Sequence, residues 1–203
     1  VIDLLVRACK PEIPGNNMGG AYERKFERFL ARRALEKYST ELQNYINAPI
    51  AADIPIANIL WAIQALPVKQ KETAFLKFWP ASNMKALDES TFIAISEMLS
   101  NPEIYEAVKR VIQNPANASN IVTYALQNQE RVQSTELANM LLIPVNTLIQ
   151  SNVQANIDLG LDAIGRFKIE KSRDAVISLI DDQTSDNTLK LALKALEINP
   201  KAS

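Results

Sequence analysis

A chain of 203 residues with 47% hydrophobic and 22% charged residues has ample apolar side chains for a continuous core and is not a disordered tail. Its formal charge of -1 and pI near 5.7 give no general attraction for nucleic acid or an acidic membrane surface, so any cationic site must be local. With no histidine and a single cysteine, Cys9, the composition excludes Ser-His-Asp and Cys-His nucleophiles, His-containing zinc sites, haem attachment through C-x-x-C-H and an internal disulfide.

The chain starts at Val1 without an initiator Met or a charged-then-apolar leader, and the expectation is an excised segment of a longer protein. The single cysteine fits a reducing compartment or a chain that makes no disulfides, and it assigns no localisation. The longest apolar stretches, such as Ala138 to Val145, are broken by Asn139 and Pro144 and fall short of the roughly 20 residues of a membrane-spanning helix. No membrane span is expected.

Taken in chain order, Leu5, Val6 and Cys9 share the apolar side of a first helix, which predicts a buried cysteine. Lys10 to Gly20 then holds Pro11, Pro14, Gly15, Gly19 and Gly20, a long connection in a chain whose other joints need only a few residues. Gly15-Asn16-Asn17-Met18-Gly19-Gly20 leads into a helix starting near Ala21, where free backbone N–H groups can hold an anion. No strand precedes this loop and no P-loop Lys-Ser/Thr pair follows it, so an irregular inter-helix loop is the competing reading.

From Tyr22, the residues Phe26, Phe29, Leu30, Ala34, Leu35 and Tyr38 follow steps of three and four and predict a helix with this stripe facing the core. Arg24, Arg28 and Arg32 recur at steps of four, with Lys25 alongside, and are expected on the opposite, solvated side. Guanidinium groups in such a row pair with carboxylates or phosphates. The alternative is a plain solvated face with Arg32–Glu36 and Arg33–Glu36 pairs.

Further helices are predicted over 59–66, 91–99, 102–112, 121–126, 157–167, 174–180 and 188–198, ten to thirteen in all, with no alternating strands. Asn101, Asn114, Ser172 and Ser185 stand where N-caps belong. Trp61 is expected in the core. Trp79, at a helix end, is read as core or as an exposed anchor. Asp181, Asp182 and Asp186 lack the calcium-loop pattern and read as turn and cap chemistry.

Internal similarity organises the whole. Ile157, Leu159, Leu161, Ala163 and Ile164 recur as Leu189, Leu191, Leu193, Ala195 and Leu196, an offset of 32, and Leu30 to Leu35 matches Trp61 to Leu66 at an offset of 31. Weaker echoes end near Leu99 and Leu126. The period is that of a helix pair, which cannot bury its apolar face alone, so stacked antiparallel pairs forming an α-solenoid are expected. Phe26, Leu30, Leu35, Trp61, Leu66, Leu161, Ile164, Leu193 and Leu196 are the predicted core.

Leu161-Asp162-Ala163-Ile164-Gly165, Asp174-Ala175-Val176, Leu179-Ile180-Asp181-Asp182 and Leu191-Ala192-Leu193-Lys194-Ala195-Leu196 resemble the short HEAT-like repeat of bilin-lyase-type proteins. Arg32-Arg33-Ala34-Leu35-Glu36 resembles its second helix. The resemblance implies an all-α, HEAT-like or armadillo-type superhelix over residues 1–203 as a single domain, working as a non-catalytic protein-interaction or scaffolding module without cofactor. Such arrays are often attached to enzymatic or cytochrome domains of larger bacterial proteins. Ala195 to Pro200 also resembles the end of a tetratricopeptide repeat, but the Trp, Gly and Tyr of that repeat's first helix are missing upstream.

An enzyme of the HEAT-like group, bilin-lyase-like with a tetrapyrrole or DNA-glycosylase-like, is the alternative. The deoxyhypusine-hydroxylase branch is excluded because its di-iron ligands include histidine. The charge balance argues against a nucleic-acid partner. The binding site is expected where Gly15, Asn16, Asn17, Gly19 and Gly20 adjoin Arg24, Arg28 and Arg32, for a protein partner or an acidic ligand.

Overall fold

The computed structural model describes residues 1–11, 21–49, 53–181 and 184–198, and among them every regular element is helical. Their packing divides into two compact units, Val1–Asn83 and Met84–Ser203. Each unit is built on its own core.

In the first unit, α1 (Ile2–Ala8) packs against α2 (Ala21–Leu35), α3 (Ser39–Asn47) and α4 (Ile56–Ala62), while α5 (Val68–Ser82) covers the far side of α4. Leu35, Leu42, Ile46, Ile59, Ile63 and Phe75 fill the interior. The last carbonyls of a helix have no i+4 donor within it. At the end of α1, buried Asn58 donates from Nδ2 to the Arg7 carbonyl oxygen at 3.0 Å and to that of Val6 at 3.3 Å, which also accepts from Cys9 N–H at 3.1 Å. Trp79 stacks on Phe75 with ring centroids 5.0 Å apart and is buried, so its place is the core and not an exposed anchor.

One polar cluster ties the start of α1 to two other segments. Arg7 donates from Nε to Asp3 and with both terminal nitrogens to Asp53, and the Tyr45 hydroxyl donates to Asp3 at 2.8 Å. Hydrogen bonds from Arg7 hold the Asp3 and Asp53 carboxyls below their ordinary 3.8.

In the second unit, cap chemistry sets the boundaries. The Asp88 carboxylate accepts from Thr91 N–H before α6 (Glu89–Ser96), and Asn101 accepts from Glu103 and Ile104 N–H before α7 (Pro102–Ile112). Asn114 caps a 3-10 turn that enters α8 (Ala118–Gln127), followed by the short α9 (Gln129–Val132). Ser134 caps α10 (Thr135–Ile149). Then come α11 (Gln154–Phe167), α12 (Arg173–Ile177) and α13 (Asp186–Ile198). Ser185 caps α13 as expected, whereas Ser172 is fully buried and donates to Asn146 of α10.

Helix α10 runs through Pro144. Proline has no N–H, so the Met140 carbonyl loses its partner one turn back. The Gln113 side chain, at the end of α7, donates to that carbonyl at 3.4 Å. Nearby, α11 lies so close to α10 that a Cβ on Gly160 would stand 2.7 Å from Ile149 Cγ2, and only glycine fits. A hydrogen-bonded group then fastens α11 to α13: Thr188 donates to Asp158 Oδ1 at 2.9 Å and Asn187 to its Oδ2 at 2.6 Å.

The offsets in the sequence reappear in the burial pattern, but not at every position. Arg28 and Ile59, Ala31 and Ala62, and Leu35 and Leu66 are buried pairs 31 apart; Gly160 and Ala192, and Ala163 and Ala195, are buried pairs 32 apart. Of the predicted core, Leu35, Leu66, Leu161 and Ile164 are buried and Trp61 and Leu196 half-buried. Phe26, Leu30 and Leu193 are instead exposed, at 56, 49 and 54%. On α13, Ala192 and Ala195 take the inner row, which turns Leu193 outward.

Two outcomes follow from these contacts. In a double-mutant cycle read by urea unfolding, Gln113→Ala should cost about 0.5–1.5 kcal/mol, and the loss should shrink towards zero beside Pro144→Ala, which returns a backbone donor to Met140. In unfolding measured across a pH series, the destabilisation caused by Asp3→Asn should be complete at neutral pH. It should fade as pH falls below the ordinary carboxyl value of 3.8, because a carboxyl with a lowered folded pKa contributes only while it is ionised.

Candidate interaction surface

The stripe spacing of α2 admits two orientations, and the structure adopts the one opposite to that expected. Arg28 is 2% exposed, and its guanidinium carbon lies 3.9 Å from the centroid of the Trp61 ring on α4. Trp61 Nε1 donates back to the Arg28 carbonyl at 2.9 Å. Arg24 and Arg32 stand one turn to either side, Arg24 bonded to Glu27 at 3.3 Å and Arg32 to Glu36 at 3.9 Å, with Arg32 also 5.9 Å from the Trp61 centroid. The arginine row is therefore the inner row. Its centre does not face solvent, which corrects the expectation of a solvated stripe.

The reason is physical. A guanidinium is planar and weakly hydrated, its flat face stacks on an indole, and its stem is as apolar as a leucine. Hydropathy scores such a side chain as outward, although a tryptophan opposite it offers a face on which it can be buried. Cys9 shares this interior. Burial pushes its thiol up to about 12 against the opposing influence of Arg28 and Arg32, so at neutral pH it is an inert thiol and not a thiolate nucleophile.

Turning the arginines inward turns the aromatic stripe outward. Phe26, Phe29 and Leu30 are exposed on the free side of α2. Among the described residues, six of the eleven exposed large apolar side chains fall in the first 38 positions: Val1, Leu4, Phe26, Phe29, Leu30 and Tyr38. Between α1 and α2 runs an open groove of about 670 Å³. It is lined by Leu4, Ala8, Leu30, Ala31 and Ala34, and Arg7, Lys10, Arg24 and Glu27 bring charge to it. A second, smaller hollow of about 560 Å³ lies on α13, where Leu189 and Leu193 are flanked by Asp186, Lys190, Lys194 and Glu197.

Of the residues singled out from the sequence, Arg24 reaches the groove, and Arg28 and Arg32 support it from within α2. Gly15, Asn16, Asn17, Gly19 and Gly20 lie outside the described residues, as does Asp182. The groove itself was not foreseen. Its signal was present as Leu4 with Ala8 and Leu30 with Ala34, a large and a small residue four apart on each of two helices, the spacing that puts them on one face. Among the described residues no three His, Cys, Asp or Glu side chains are grouped to hold a metal ion, and no helix is long and apolar enough to cross a membrane.

The inverted orientation is tested by paired truncations on α2. Leu35→Ala should cost about 2–5 kcal/mol, whereas Leu30→Ala, though only five positions away, should stay within about 0.5 kcal/mol; equal losses in thermal or urea unfolding would restore the opposite register. Compared against protein-family models, curated proteins and solved structures, the chain finds no match in any of the three.

Proposed function

We propose that the chain is a non-catalytic protein-interaction module whose contact surface is the outer side of α1 and α2. The observation that carries this reading is that exposed Leu4 of α1 and Leu30 of α2 line one groove, with Phe26 and Phe29 also exposed on α2, a helix whose opposite side is already committed to the core. Large apolar patches on the surface of a folded chain mark contacts with other molecules. Buried residues spaced 31 and 32 apart support a HEAT-like stacking of helix pairs as the scaffold, with partner binding as its use and attachment to a larger bacterial protein as its setting.

Within this reading the arginine row has a new role. Arg28 holds α2 in the orientation that presents the patch, and Arg24 adds positive charge at the groove, where a carboxylate-bearing partner is favoured.

The test starts from a partner captured from source cells, identified, purified and titrated against the whole chain. The double substitution Phe26→Ser with Leu30→Glu should abolish binding while leaving the unfolding midpoint nearly unchanged, and Leu193→Glu on α13 should leave the affinity intact. Binding should weaken as salt rises, since exposed charges are screened beyond about 8–10 Å. A purified partner that binds the double variant as tightly as the native chain overturns the reading.

A further inference from the structure

Helix α13, the last described element, keeps one side uncovered. It packs on α11 and α12, whereas α11 is packed by α8, α10 and α13. The difference shows at positions 32 apart: Leu161 on α11 is 1% exposed and Leu193 on α13 is 54% exposed. The outer side of the last helix in a stack is ordinarily polar, and this one carries leucines. Leu193 stands at the middle of the uncovered side, half-buried Leu189 and Leu196 lie along one flank of it, and exposed Lys190 and Glu197 along the other.

These positions are related by reversal. Lys190 is three residues before Leu193 and Glu197 four after it, while Leu189 is four before and Leu196 three after. When a second α13 runs antiparallel with its Leu193 facing the first, a two-fold axis crosses the seam and each flank meets the same flank of the other copy. Lys190 of each copy then stands within one residue's rise, about 1.5 Å, of the level of Glu197 of the other, and Leu189 meets Leu196 to the same margin.

The charges are available for this. Lys190 and Glu197 are exposed and make no ion pair among the described residues. Within one chain they are about 10 Å apart along the helix and do not reach each other. A parallel pairing would set the charged flank of each copy against the leucine flank of the other. Lys194 stands further round the helix, away from the seam, and Asp186 one turn nearer the N-terminus; with Lys190 and Glu197 they make two positive and two negative charges, so no net charge opposes a like surface.

We propose that the chain associates with a second copy of itself through α13, the two helices antiparallel across a two-fold axis at Leu193. The residues involved are separate from those of the α1–α2 surface. Thirteen residues extend about 20 Å at 1.5 Å per residue. A contact of that length lies at or below the low end of specific interfaces, about 1,200 Å² in total. The expected species is therefore a reversible dimer with a dissociation constant of about 10–100 μM.

Sedimentation velocity of the whole chain, from about 1 to about 500 μM so as to bracket that constant, should show monomer passing to dimer. Leu193→Glu, which sets two carboxylates face to face on the axis, should leave the chain monomeric throughout. Lys190→Glu and Glu197→Lys should each weaken dimerisation by about tenfold, because each turns two opposite-charge pairs into like-charge pairs. Mixed in equal amounts, these two variants should associate as tightly as the native chain, since each supplies the charges that the other lacks. Rescue by mixing arises only between copies. Phe26→Ser with Leu30→Glu should leave the dimer intact.

Circular dichroism and the unfolding midpoint establish that each variant is folded; if Leu193→Glu is not, the two charge variants and their mixture decide. A native chain that stays monomeric at about 500 μM overturns the proposal. So does a dimer that survives Leu193→Glu, a mixture of the charge variants that recovers no affinity, or a dimer lost with the double substitution on α2. A purified partner that still binds that double variant overturns the interaction reading and leaves the α13 dimer standing.

Discussion

The stacking of Arg28 on Trp61 decides what the first unit shows to its surroundings. A helix with an apolar stripe on one side and a cationic stripe on the other has an obvious way to pack, and α2 does the reverse because α4 offers an indole where a guanidinium can lie flat. Stacking of this kind gives up to about 2 kcal/mol when the cation is desolvated. The returning hydrogen bond from Trp61 to the Arg28 carbonyl fixes the two helices in one rotational setting, not merely in contact. The outward positions of Phe26 and Phe29 follow from that setting.

The same interaction explains why the surface was hidden from a reading of residues alone. Helix content and most boundaries were legible, because Asn101, Asn114 and Ser185 cap where a short polar side chain before an apolar run is expected to. Leu35 and Leu66, and Leu161 and Ile164, were assigned to the interior on period alone and are buried. The misplaced residues have two causes. Phe26 and Leu30 turn outward because Arg28 takes the inner row against Trp61, and Leu193 because Ala192 and Ala195 fit the close approach on α13, whereas hydropathy ranks leucine above alanine whatever the spacing between helices.

Small residues thus determine geometry in both units. Ala31 and Ala62 take corresponding buried places on α2 and α4, and Gly160 admits Ile149 of α10 to a distance that a methyl group would forbid. Bulk is placed where the helices leave room, as with Phe75 against Trp79, and withheld where they touch. Tight approach of this kind makes orientation sensitive to single methyl groups, since interiors at crystal-like density do not yield smoothly.

Chains whose segments resemble one another face a hazard in folding, because a helix can settle against the wrong but similar neighbour and form a compact, misassembled state. The pairing of Pro144 with Gln113 acts against this. The carbonyl vacated at Met140 can be satisfied only by a donor arriving from outside α10, and Gln113 reaches it only when the end of α7 is seated at that turn. A swapped neighbour, or one slid by a turn, would leave that acceptor without its Gln113 donor. What looks in the sequence like a blemish in a helix therefore acts as an address label, tying the end of α7 to one turn of α10.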